Sequence, residues 1–185
     1  KAKELAAADG SDRDIHIADI GTGSGILAVC AAKHLPTARV TAIDISPQAL
    51  VIARENAQTH RVQDRIEFHE GDLLAGLSAD AAFDFIVSNP PYVSEAEFLE
   101  LSPDVREHEP SLALKAGPGG TDVIAQLIPQ AAERLHPGGW LLMEISPMIA
   151  DQVQSLVRDD GHFGEPEVVR DTNRHARVIA AERVA

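Results

Sequence analysis

Asn89–Pro90–Pro91–Tyr92 is the tetrapeptide whose residue types most narrow the chemistry open to this chain. Two consecutive prolines fix the backbone and withhold two N–H donors. The Asn89 amide oxygen and the Pro90 carbonyl remain as acceptors, and acceptors so placed suit a substrate that brings an NH2 group. The nitrogen of a planar amide or aryl amine is a poor nucleophile because its lone pair is delocalised. Holding both of its N–H groups in hydrogen bonds fixes its orientation toward an electrophile. Positive charge growing on that nitrogen strengthens the same bonds, so the transition state gains more than the ground state. The Tyr92 ring offers a face to the planar group and to a nearby cation such as a sulfonium. This scheme needs no strong general base, and none is conspicuous. The bland alternative is a proline turn ending a strand, with Asn89 an ordinary turn residue.

A second group of residues suits a nucleoside. Gly21–Thr22–Gly23–Ser24–Gly25 follows an apolar run and precedes a helical one, where a glycine turn lets a ligand approach the backbone near a helix N-terminus. The dinucleotide pattern G-x-G-x-x-G would place its third glycine at position 26, which here is Ile26; the glycine comes one residue early, at Gly25. Asp44 closes the next apolar run, where a carboxylate can accept from both hydroxyls of a ribose. Gly71–Asp72–Leu73 adds an acid and an apolar residue after a third run. Together these suit an adenosine lying across one sheet edge. The alternatives are that Asp44 caps the following helix and that Asp72 serves a turn.

The elements that must position these groups alternate between apolar runs and helix-period segments, the pattern of a parallel sheet covered on both faces. Strands are predicted at Ile15–Ile20, Arg39–Asp44, Ile66–His69 and Phe83–Ser88. A helix runs from the glycine turn to about His34, and Ser46 and Pro47 supply the cap and first position of another. A helix is predicted over Thr121–Leu135, kinked or split at Pro129. His136–Pro137–Gly138–Gly139 reads as a turn into a strand at Trp140–Ile145, and Ala150–Asp159 as a helix. Glu167–Arg170 and Arg177–Ala181 form a hairpin around Asn173. The expected fold class is α/β: a mostly parallel seven-stranded sheet with a C-terminal antiparallel hairpin and helices on both faces.

The 185 residues fit one domain, with 29 acidic against 16 basic side chains and a net charge of −13. That balance argues against direct nucleic-acid binding, which draws its affinity from Lys and Arg on phosphates. Six acids (Glu95, Glu97, Glu100, Asp104, Glu107, Glu109) against Arg106 concentrate part of the charge just after the tetrapeptide. They form either a solvated surface or an acidic rim that attracts a basic protein loop. The single cysteine, Cys30, excludes an internal disulfide and reads as a small buried hydrophobe. The eight histidines lack the short spacings of zinc sites, so no metal is expected. No apolar run is long enough for a membrane span and no signal peptide opens the chain, so the expected compartment is the cytoplasm. Residues 1–14, opening on Lys1 with a short helical stub over Lys1–Ala8, read as the remnant helix and linker of a truncated chain, and 15–185 as the catalytic domain.

Asp19–Ile20–Gly21–Thr22–Gly23–Ser24–Gly25, Ala42–Ile43–Asp44–Ile45–Ser46 and Asn89–Pro90–Pro91–Tyr92 resemble the motifs of Rossmann-like class I methyltransferases that use S-adenosylmethionine on planar nitrogens. The segments His108–Leu114, Gly119–Gly120, Leu135–Gly139 and Leu142–Ile145 narrow the resemblance to the peptide chain release factor N5-glutamine methyltransferases, the HemK/PrmC family. It covers about Ile15 to Ala181. The resemblance implies methyl transfer to the glutamine side-chain amide in the Gly-Gly-Gln loop of a class 1 release factor. It implies that Gly21, Thr22, Gly23, Ser24, Gly25, Asp44, Ile45, Asp72, Leu73 and Asn89 bind S-adenosylmethionine. Asn89, Pro90, Pro91 and Tyr92 would hold the glutamine, with Asn89, Pro90 and Tyr92 the catalytic group. The chain departs from the family pattern at Ser146 and Ile149, where Gly and Gln are usual, and around Asn173–Arg174, where a glycine often stands. A nucleic-acid amino-methyltransferase using the same tetrapeptide on a flipped base, or a cofactor-binding subunit inactive by itself, are the competing readings.

Overall fold

A computed structural model of the chain describes residues 14–91 and 120–184. Tyr92, the acidic stretch from Ser94 to Glu109 and the stub over Lys1–Ala8 lie outside the described residues. In chain order the elements are β1 (Ile15–Ile20), α1 (Ile26–His34), β2 (Ala38–Asp44), α2 (Pro47–Thr59), β3 (Ile66–Glu70), β4 (Phe83–Ser88), α3 (Asp122–Arg134), β5 (Leu135–Glu144), α4 (Ala150–Asp160), β6 (Glu167–Arg170) and β7 (Ala176–Glu182). They form one seven-stranded sheet in the order β3-β2-β1-β4-β5-β7-β6. The first five are parallel, and β7 runs antiparallel to both β5 and β6.

The central strands are apolar on both faces because each face is covered. Ala18, Ile20, Ile43, Ile86, Leu141, Met143 and Ile179 pack with Ile124, Leu127 and Ile128 of α3 and Val153 and Val157 of α4. On the other face Ile15, Ile17, Val40, Ala42, Phe85 and Trp140 pack with Ala28, Val29 and Ala32 of α1 and Ala57 of α2. The direction of progress across the sheet reverses between β1 and β4, which makes their carboxyl ends the topological switch point.

Three local expectations change. Helix α3 is not split at Pro129 but continues through it as one helix. Proline costs a helix interior about 3 kcal/mol, but Ile124, Leu127, Ile128, Ala131 and Ala132 are buried on both sides of it, and a fully buried Ile or Leu contributes roughly 1.5–3 kcal/mol. Ala125, whose carbonyl Pro129 leaves without its helical donor, is exposed, as is Pro129, so water can take that place. The turn expected at His136–Gly139 is a bulge inside β5, since Phe83 pairs with Leu135 and Phe85 with Trp140. Gly139 is required there: an added Cβ would lie 3.0 Å from the Asp84 carbonyl and 2.9 Å from that of His136. Cys30 is exposed rather than buried. Helix α1 buries Ala28, Val29 and Ala32, and position 30 is turned about 200° from position 28 at 3.6 residues per turn.

The hairpin forms as expected between β6 and β7. Arg174 adopts φ 68 in its turn, the left-handed conformation that a glycine would take without cost. Asp171 compensates by accepting from the backbone N–H groups of Asn173 and His175, each at 2.9 Å, and from Arg177 Nε at 3.1 Å. These bonds hold its carboxyl below the usual carboxylate range, the His175 N–H first among them.

Candidate active site

The carboxyl ends of β1, β2, β3 and β4 bring the glycine turn, Asp44, Asp72 and Asn89 to one edge of the sheet. The turn is left-handed at Gly21 (φ 68), Gly23 (φ 56) and Gly25 (φ 81), a run of conformations that only glycine adopts freely. Thr22 is buried and its N–H donates to Ile43 O at 2.9 Å, tying the turn to the end of β2. Gly23 N–H donates to Asp44 Oδ2 at 2.8 Å. Asn56 Nδ2, on α2, donates to Ser24 O at 2.8 Å. The loop is thus held from both sides before any ligand arrives.

Gly25 has a second, steric reason to be glycine. A Cβ there would lie 3.0 Å from Ala53 Cβ and 3.1 Å from Ala53 Cα, on the backbone of α2. This close approach falls at Gly25 and not one residue later; Ile26 is 67% exposed and faces away from the sheet. The early third glycine therefore serves helix–helix packing. Gly25→Ala should lower stability by about 2–3 kcal/mol, combining left-handed strain with overpacking. Urea unfolding will measure it, and a loss under about 0.5 kcal/mol would show that the contact has slack.

Asp44 bonds to the glycine turn and to the start of the segment leading into α2. Its Oδ2 accepts from the glycine turn, and Oδ1 accepts from Ser46 N–H at 2.9 Å. The cap of α2 is Ser46 itself, whose Oγ accepts from Ala49 N–H at 3.3 Å. Ile45, beside Asp44, is 58% exposed, a large apolar side chain presented at the edge. Gly71 N–H donates to Asp44 O at 3.0 Å, so the chain after β3 is pinned to the end of β2. Asp72 is exposed and Leu73 half-buried, with Leu73 at φ 54. The carbonyl of Asp72, rather than its side chain, closes the local turn by accepting from Ala75 N–H at 3.0 Å. At the end of β4, Asn89 is exposed, Pro90 buried and Pro91 half-buried.

Two site residues were given no role by the sequence reading, although Asp19 opens the first of its motifs. Ser88 is buried, and its Oγ donates to Ile20 O at 2.9 Å. Asp19 is 1% exposed inside β1; its Oδ2 accepts from Thr22 Oγ1 at 2.6 Å and from Ala28 N–H at 3.0 Å. Its Oδ1 is the one buried side-chain polar atom without a hydrogen-bond partner among the described residues. The signal for Asp19 was an acid within an otherwise apolar run; a serine ending a strand is too common to stand out.

Burial pushes the Asp19 carboxyl up to about 6, against the downward pull of the Thr22 and Ala28 hydrogen bonds and with a further upward push from Asp44. Between its ordinary 3.8 and that value the folded chain binds more protons than the unfolded one. Stability therefore falls as pH rises through this window, by an amount on the order of 3 kcal/mol. Asp19→Asn removes the titration while keeping an acceptor. The stability of this variant relative to wild type should rise by about 2–3 kcal/mol between pH 4 and pH 7 in urea melts. A constant difference across that range would mean that Asp19 does not titrate there.

Among the described residues no cluster of three or more His, Cys, Asp or Glu side chains is arranged to hold a metal ion. No helix among them is long and apolar enough to cross a membrane.

A glycine turn after β1, an acid closing β2, a switch point between β1 and β4 and a C-terminal antiparallel hairpin define the Rossmann-like methyltransferase fold. A ribosomal-protein methylase from Lactobacillus delbrueckii subsp. bulgaricus superposes with a TM-score of 0.67 at 24% identity, covering 98% of this chain and 76% of that one. An rRNA methyltransferase of T. thermophilus, solved in complex with AdoMet and guanosine, gives 0.68 at 21% identity, covering 98% and 41%. Residues 4–103 match the methyltransferase small domain family, and the chain belongs to it. It is also 44% identical over 167 residues to the release factor glutamine methyltransferase of Rhodopirellula baltica, covering 90% of this chain and 56% of that protein. The chain thus spans little more than half the length of that relative.

Proposed function

We propose that this chain transfers a methyl group from S-adenosylmethionine to the side-chain amide nitrogen of the glutamine in the Gly-Gly-Gln loop of a class 1 peptide chain release factor. The observation that carries this reading is the juxtaposition at the switch point. Ser88, immediately before Asn89, pairs in register with Ile20, immediately before Gly21. A group that presents an NH2-binding acceptor set thereby adjoins one that suits a nucleoside. The 44% identity to a release factor glutamine methyltransferase supports the choice of acceptor.

The described residues fit the cofactor. The left-handed glycines keep side chains away from the loop, Asp44 offers carboxylate oxygens, and Ile45 offers an exposed apolar surface beside it. When bound, S-adenosylmethionine supplies a methyl group made electrophilic by its sulfonium. Gly21 to Gly25 would hold the cofactor through backbone groups, and Asp44 would accept from its ribose hydroxyls. Ile45, Asp72 and Leu73 would border its base. Asn89 Oδ1 and the Pro90 carbonyl accept the two N–H bonds of the glutamine amide and fix its plane. As that nitrogen gains the methyl it loses one proton to solvent. Tyr92, next in sequence, is assigned the face on which the amide stacks. The acceptor places the reaction in the cytoplasm, where translation terminates.

Incubation with labelled S-adenosylmethionine and either release factor or nucleic acid tests the reading. Label in release factor, lost when the Gly-Gly-Gln glutamine is replaced, is the expected result. Label in nucleic acid alone would replace this function with that of a base amino-methyltransferase.

A further inference from the structure

The end of β4 is built unlike an ordinary ladder end. Ile20 and Ser88 are the last register partners of β1 and β4. Beyond them Pro90 and Pro91 have no N–H groups with which to extend the pairing. Alongside the ladder that pairs the two strands, the Ile20 carbonyl accepts the Ser88 side-chain hydroxyl at 2.9 Å, in a fully buried position. This bond adds a side-chain tie to the ladder between the residue before the glycine turn and the residue before the amide clamp. Gly21 follows at φ 68, so the direction of the Ile20 carbonyl sets where the turn departs.

We propose that Ser88 is a positioning residue, which fixes Asn89 relative to the glycine turn so that the amide nitrogen lines up with the methyl donor. The inference rests on the function proposed above and adds a residue to it. Removing the buried hydroxyl takes from that carbonyl its side-chain donor and leaves only the ladder to hold it, so the strand ends should part slightly rather than the domain unfold. A small misalignment between two bound reactants costs rate far more than affinity. The effect should therefore fall on the transfer step.

The test compares wild type, Ser88→Ala and Ser88→Thr in the full chain, with release factor as acceptor. Ser88→Ala should lower the single-turnover transfer rate by about tenfold or more, with the KM for release factor and the Kd for S-adenosylhomocysteine each within about threefold. Ser88→Thr, which keeps the hydroxyl, should recover most of the rate. A wild-type rate in Ser88→Ala, or an equal loss in both variants, would overturn the proposal. A second readout does not depend on the acceptor. Amide hydrogen exchange at Gly21 and Asn89 should quicken in Ser88→Ala and not in Ser88→Thr. Unchanged exchange would overturn the proposal even if wild type methylated a different substrate, whereas absence of transfer to release factor by wild type would count against the function alone.

Discussion

Asn89→Ala is expected to reduce the rate of methyl transfer about 100–1000-fold, the range seen when a preorganised hydrogen-bonding group facing developing charge is removed. The KM for release factor should change by less than about threefold, because a protein acceptor draws its binding from a wide surface and only its orientation from the clamp. The variant should also fold. Asn89 is exposed at the end of β4, and the core residues Phe85 and Ile86 lie upstream of it in the strand. Steady-state kinetics with a melting curve on the same preparation separate these effects. Full transfer by Asn89→Ala would remove the tetrapeptide from the chemistry and return it to the status of a proline turn.

Asp44→Ala addresses the other half of the site. Hydrogen bonds to a charged group are worth about 1.5–3 kcal/mol each, so losing the acceptor for a ribose should weaken S-adenosylhomocysteine binding about 100-fold. The structure adds a second consequence. The same carboxylate holds Gly23 and Ser46 N–H groups at 2.8 and 2.9 Å, so its removal also loosens the turn. Because Asp44 is only half-buried, that loosening should cost about 1 kcal/mol or less, a fall of roughly 2–4 °C in Tm for a domain of this size. Asp44→Asn keeps one acceptor and should lie between wild type and alanine in calorimetric affinity. If Asp44→Ala bound the product as wild type does, the nucleoside would have to sit elsewhere on the edge.

Where sequence reading succeeded, the information was local. A buried parallel strand is apolar along most of its length, so β1 and β4 were visible as runs despite Asp19 and Ser88. Ser46 and Pro47 mark a helix start through groups that touch only their own turn. The glycine turn was visible because left-handed backbone demands glycine. The readings that changed depended on partners distant in sequence. Pro129 breaks a helix on propensity, yet α3 stays whole because its buried face spans the proline while its freed carbonyl faces solvent. His136–Gly139 has turn chemistry but lies in a strand, because Phe83 and Phe85 of β4 hold both of its ends. Cys30 was misplaced because a short helix that is apolar nearly all round does not reveal which face meets the sheet.

The sequence by itself determined which chemical groups are present and in what order: the glycine turn, the acid closing β2 and the acceptor-rich tetrapeptide. Local sterics and hydrogen-bonding capacity dictate those, and they belong to residue types. Only the tertiary structure decided that Ile20 and Ser88 stand side by side, that Gly25 is glycine for the sake of Ala53, and that Asp19 carries a buried, half-partnered carboxylate. The first two depend on strand order and on the approach of one backbone to another across 28 to 68 residues of chain, distances over which residue type alone carries no register; the Asp19 bonds are local, but its burial comes from the layers packed over β1.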